Sequence, residues 1–172
     1  MEYDRLRDLD DISTFITTPL DLCRDPPFLV LSLEGPSIVQ LAVSQETQKL
    51  NMNQSIYVMF HSFTALNNLL NCGFCHGDTH MGNFLISKSP MKAPIIMIDF
   101  AEGAEATPKG ILKDAKIFLQ YLQRFTEEDG SNLFNKLLKI LEVENQHEHE
   151  LYNHMLNFIR EQGFDEKAPS PI

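Results

Sequence analysis

His76-Gly77-Asp78-Thr79-His80-Met81-Gly82-Asn83-Phe84-Leu85-Ile86 is followed, across a connection holding Pro90 and Pro94, by Ile95-Ile96-Met97-Ile98-Asp99-Phe100. The two short apolar runs predict strands, and the polar segment from Ser87 to Pro94 predicts a hairpin-like link between them. An aspartate, an asparagine five residues later, a hairpin and a second aspartate at a strand end are the groups that phosphoryl transfer needs. Asp78 is placed to accept or orient the proton of an acceptor hydroxyl. Asn83 and Asp99 supply hard oxygen ligands for magnesium against the phosphates of ATP. The bland alternative is an Asx turn plus a strand-end carboxylate. The agreement of spacing, flanking strands and preceding helix favours the chemistry.

Upstream, Ile56, Phe60, Phe63 and Leu70 share one face of a helix predicted from about Gln54 to Asn71, with Gly73 as its stop. Pro36 suits the first turn of an earlier helix running to about Leu50, and Phe28–Leu31 reads as a buried strand. Tyr3, Leu6, Leu9 and Ile12 suggest a short amphipathic helix at the start. Downstream the pattern is helical: Leu112 to Leu122, Leu133 to Ile140, and Leu151 to Ile159 with a stop near Gly163.

His76-Gly77-Asp78 with Asn83 resembles the catalytic loop of the protein-kinase-like superfamily, and Asp99-Phe100-Ala101 resembles its Asp-Phe-Gly with the glycine replaced. The spelling HGDTHMGN is closer to the loop of aminoglycoside and choline kinase-type enzymes than to that of serine/threonine kinases. His80 stands where those protein kinases carry a lysine. It is counted with Asp78 as a candidate catalytic residue, either touching the transferred phosphate or acceptor, or bracing the loop. The resemblance implies that backbone groups at Ser32, Leu33 and Glu34 form an adenine-binding hinge. It also implies that Asp114, opening a helix, bonds the loop backbone, and that His76 supports the loop.

The departures are as specific. No glycine-rich loop occurs upstream, and no lysine precedes Lys49, so the lysine that grips nucleotide phosphates in this superfamily has no counterpart. The expectation is a chain lacking most of the N-terminal lobe.

A net charge of −10 makes the chain a poor partner for nucleic acid or anionic membrane. An acidic N-terminus without an apolar run argues against a secretory signal, and no stretch is long enough to span a bilayer. Three cysteines without a secretory signal suggest free thiols and a cytoplasmic or nuclear setting. Cys72-Gly73-Phe74-Cys75-His76 spells a haem-attachment signal, but His76 belongs to the loop and the bland reading of two semi-buried thiols is preferred. His147, His149 and His154 could imitate a metal cluster, although a solvated helix face accounts for them.

The expected fold is α+β, mainly α. Residues 1–31 form a remnant of the N-terminal lobe, 32–163 a kinase-like C-terminal lobe, and 164–172 a disordered tail. The expected activity is ATP- and magnesium-dependent phosphotransfer. The alternatives are a catalytically inactive mimic that binds a partner kinase or its substrate, and a small-molecule kinase. A protein partner or second copy is expected to cover the exposed roof of the nucleotide site, around Phe28–Leu31 and Phe100.

Overall fold

The computed structural model describes residues 9, 12, 14–24, 27–32, 34–127, 131–143 and 150–172. The helix expected over Tyr3 to Ile12 lies outside these residues except for Leu9 and Ile12, both buried in the core. Strands β1 (Pro19–Arg24) and β2 (Pro27–Leu31) pair antiparallel, as the apolar run at Phe28–Leu31 requires.

Helix α1 (Ile38–Ser44) opens on a reciprocal cap between Ser37 and Gln40. It is shorter than expected. Its apolar stripe runs out at Val43, Gln48 takes a positive φ of 55°, and Leu50 leaves to pair with the backbone around Thr126. Helix α2 (Met52–Asn71) starts on the Asn51–Gln54 capping box. Met59, Phe63, Leu66 and Leu70, spaced by three or four residues, face the core together with Val58. It ends at Cys72 with Gly73 at φ +85°, a conformation that glycine adopts without steric cost.

Strand β3 (Phe74–Cys75) leads into the loop quoted above, a 3-10 turn at Met81–Asn83, and the antiparallel hairpin β4 (Phe84–Ile86) and β5 (Ile95–Met97). Residues 14–17 add along the far edge of β5: Met97 N–H donates to Phe15 O (2.8 Å) and Thr17 N–H to Met97 O (3.2 Å). Strand β6 (Ala104–Glu105) returns beside β3.

Helix α3 (Pro108–Phe125) follows, with Thr107 as its cap and Pro108 in its first turn. Asp114 therefore sits in the second turn of this helix rather than opening it. Helices α4 (Ser131–Val143) and α5 (Leu151–Glu161) complete the helical half.

The core joins these parts through aromatic rings. Phe63 of α2, Phe118 of α3 and Phe84 of β4 stack in sequence, with centroids 5.2 Å and 5.1 Å apart, and His76 lies 6.0 Å beyond Phe84. The loop therefore rests on packed hydrophobic side chains instead of on water. Residues 164–172, expected as a disordered tail, turn back onto α2: the Phe164 ring lies 4.6 Å from Phe60, and Arg160 pairs with Glu166 at 2.6 Å. Among the described residues no helix is long and apolar enough to cross a membrane. The chain is mainly helical with small two-stranded sheets, in agreement with the α+β expectation.

Candidate active site

Asp114 is the buried post of the site. Its Oδ2 accepts from His76 N–H (2.7 Å), its Oδ1 from Gly77 N–H (3.0 Å), and its carbonyl from the Thr79 hydroxyl (2.6 Å). The turn that presents two successive amides to one carboxylate requires φ +85° at Gly77. A Cβ there would also stand 2.2 Å from the carbonyl oxygen of Glu102. Glycine is needed on both counts.

His76 is fully buried between Phe84 and Phe100. Its Nδ1 receives the Asp78 N–H (3.4 Å), so the proton is assigned to Nε2, which donates to Ile98 O (3.0 Å). Burial lowers its pKa and keeps the ring neutral. Phe100, expected beside an exposed apolar patch, is only 2% exposed and belongs to the core.

The Asp78 carboxylate is 42% exposed and is braced from two sides. Asn83 Nδ2 donates to Asp78 O (2.9 Å) and lies 3.4 Å from Oδ2. His80 Nε2 lies 3.5 Å from the same Oδ2, while His80 Nδ1 accepts from Gly82 N–H (3.0 Å). That second bond fixes the ring so that its N–H side faces Asp78.

The amide orientation of Asn83 leaves Oδ1 as its available atom. Asp99 is exposed, and its φ of +60° is a left-handed conformation uncommon outside glycine. Both residues are set by Ile98, whose N–H donates to Asn83 O (3.0 Å) and whose carbonyl receives His76. Among the described residues no three His, Cys, Asp or Glu side chains gather as a metal site. An amide oxygen and a carboxylate still fit magnesium, which takes the rest of its shell from water and phosphate oxygens. The structure therefore brings Asp78, His80, Asn83, His76 and Asp114 into one bonded network and joins Asp99 to it through the backbone.

The proposed hinge lies apart from this network. Ser32 N–H donates to Thr18 O (2.8 Å), and Ser32 Oγ donates to Glu34 Oε1 (2.7 Å). The Ser32 amide is thus engaged within the N-terminal hairpin, and Leu33 lies outside the described residues. Of the histidines that could imitate a metal cluster, one lies among the described residues. His147 and His149 lie outside the described residues, and His154 faces Glu150 at 3.6 Å on an exposed surface.

Sequence reasoning missed three residues of α3. Lys113 Nζ donates to Gly77 O (3.0 Å), the Tyr121 ring lies 6.1 Å from His80, and the Arg124 guanidinium sits 5.3 Å from the Tyr121 centroid. Their spacing from Asp114 along one helix is the signal that could have found them.

Burial pushes the Asp114 carboxyl up from 3.8 to about 6, against the opposing pull of the two amide bonds and Lys113. The folded carboxyl then holds its proton more tightly than the unfolded one. Its contribution to stability is full below the unfolded pKa and is lost as pH rises through about 6. Asp114→Asn has no such titration. Between about pH 7 and pH 4 the wild type should gain about 2.4 kcal/mol on that variant in urea unfolding, at ~1.4 kcal/mol per pKa unit. His76 titrates in the opposite sense, but it is common to both proteins and drops out of the difference. A pH-independent difference would refute the assignment.

No curated protein matches the chain. A family model, the ABC1 atypical kinase-like domain, matches residues 29–137, from β2 through the loop, the hairpin and α3 into α4. That span takes in the whole bonded network and more than half of the sequence, and by it the chain belongs to the ABC1 atypical kinase-like family.

Proposed function

We propose that this kinase-like chain carries the phosphoryl-transfer centre of an ATP- and magnesium-dependent phosphotransferase acting on a hydroxyl. The observation that carries the reading is Asp78, a carboxylate held on two sides yet open to solvent, beside an asparagine and an aspartate with oxygens to offer. In the reaction the acceptor oxygen bonds to the γ-phosphorus and the bond to the β,γ-bridging oxygen breaks. The hydroxyl proton passes to Asp78 and ADP leaves. Magnesium, when bound, neutralises charge on the phosphates. His80 keeps the carboxylate aimed, and Asp114 holds the loop beneath it. Backbone groups near Ser32–Glu34, chiefly at 33 and 34 because the Ser32 amide is engaged, receive the adenine.

The second reading is a mimic that binds a partner kinase or its substrate without turnover. Under the catalytic reading a protein partner or second copy covers the nucleotide. The HGDxHxxN spelling motivates a third reading after an atypical protein kinase and a mimic, with a small alcohol or amine as acceptor.

Thermal unfolding tests the nucleotide and metal assignment. ATP at about ten times its dissociation constant should raise Tm by about 3–6 °C, and only with magnesium or manganese present. Asp99→Asn, which tolerates the left-handed backbone while removing the charge, should abolish most of that shift. Equal shifts in both proteins would sink the metal assignment.

A further inference from the structure

Gly77 is the softest link in the loop that presents Asp78. Asp114 holds the two peptides before it, through the His76 amide (2.7 Å) and the Gly77 amide (3.0 Å). Past that point the chain turns at φ +85° with no Cβ to bar neighbouring angles. The Gly77–Asp78 peptide can therefore rotate at low steric cost. On its far side Asp78 is braced by Asn83 and His80. On its near side the Asp78 N–H reaches His76 Nδ1 only at 3.4 Å, a long and weak bond.

The firm tie on that peptide is Lys113. Its Nζ donates to the Gly77 carbonyl at 3.0 Å, a charge-assisted bond from the residue next to Asp114 on α3. Three successive peptides are thus held by two successive side chains, Asp114 on the first two and Lys113 on the third. The helix dipole does not call for a cation there, because the second turn after the Thr107 cap lies toward the end that favours anions. A counter-charge for Asp114 is the plainer account, since the ammonium opposes the rise of that carboxyl. That account gives the bond to the Gly77 carbonyl no part. Lys113 is exposed, so the bond adds little to global stability.

We infer that Lys113 is a positioning residue for Asp78. By holding the Gly77 carbonyl it stops rotation of the Gly77–Asp78 peptide and keeps the carboxylate aimed at the acceptor hydroxyl. The inference rests on the phosphotransferase reading and adds to it a residue that acts through the loop.

Lys113→Met keeps most of the stem and removes both donor and charge, whereas Lys113→Arg keeps both. With glycine and aspartate labelled by nitrogen-15, the Asp78 amide signal of Lys113→Met should shift and broaden through exchange on the μs–ms timescale. Phosphate release from magnesium-ATP at saturation, alone and in cell lysate, should fall about 10–100-fold with KM for ATP unchanged. Lys113→Arg should restore the amide signal and most of the rate. Tm should move by no more than about 2 °C.

An unmoved Asp78 amide, or an unchanged rate in Lys113→Met, overturns the inference and leaves the phosphotransferase reading standing. A counter-charge role predicts that result, and a merely structural role predicts it with a lowered Tm. A loss that Lys113→Arg does not recover overturns the inference as well. If the wild type releases no more phosphate than Asp78→Ala, in lysate as well as alone, the phosphotransferase reading fails and the inference falls with it.

Discussion

Replacing Asp78 by alanine is expected to lower phosphate transfer by about 10²–10⁴-fold, the usual cost of losing a positioned general base. Nucleotide binding should be nearly unchanged. The Asn83 amide keeps its 2.9 Å bond to the Asp78 carbonyl and loses only the longer 3.4 Å contact to the carboxylate. Asp99 follows Ile98, whose backbone is held by Asn83 and His76. The substitution removes little packing, since that side chain is 42% exposed. The assay is transfer by wild type and variant, alone and in cell lysate, where a protein partner can be present. Transfer by the wild type no greater than by Asp78→Ala, in lysate as well as alone, would replace the enzyme with the mimic.

Gly77→Ala should be the most damaging small substitution in the loop. Gly73 and Gly77 share φ +85°, but a Cβ at Gly73 meets nothing within 4 Å, whereas one at Gly77 meets Glu102 O at 2.2 Å and its carbonyl carbon at 2.8 Å. Those atoms are backbone and cannot rotate away. The Gly77 amide is also fixed to Asp114, so the loop cannot yield without losing a buried bond. Gly73→Ala should therefore cost about 1 kcal/mol, the left-handed penalty alone. Gly77→Ala should cost about 3 kcal/mol or more, which lowers Tm by about 6–12 °C and takes activity with it. Equal losses at the two glycines would show that the contact with Glu102 relaxes freely.

Much of this was legible in the sequence, and the exceptions share a cause. Helix α2 and the β4–β5 hairpin announce themselves through local periodicity and punctuation, and Asp78, Asn83 and Asp99 lie close together along the chain. Asp114 is legible only through family resemblance, and its place in the second turn of α3 is hidden because the polar first turn after the Thr107 cap carries no apolar residue before Ile111. The early end of α1 was hidden because Leu50 answers to Phe125 and Glu127, partners far along the chain. The bridge between Ile16 and Met97 of β5 spans the whole loop and α2, which no local window can register. Lys113, Tyr121 and Arg124 reach the loop only through the packing of α3, and the engagement of the Ser32 amide depends on the hairpin beside it.

Ile98 bears on how such a centre can be switched. Both of its backbone groups are held, the N–H by Asn83 and the carbonyl by a fully buried His76 ring. For the Ile98–Asp99 backbone to swing out of place, both bonds must open and His76 must leave its contact with Phe100. Two buried polar groups left unmade cost about 2–6 kcal/mol together, so the rotated conformer holds at most about 3% of the population. A regulator would need a matching difference in affinity to reverse that balance. Control is therefore expected at the open nucleotide face, through what covers it, with the aspartate kept permanently in its active position.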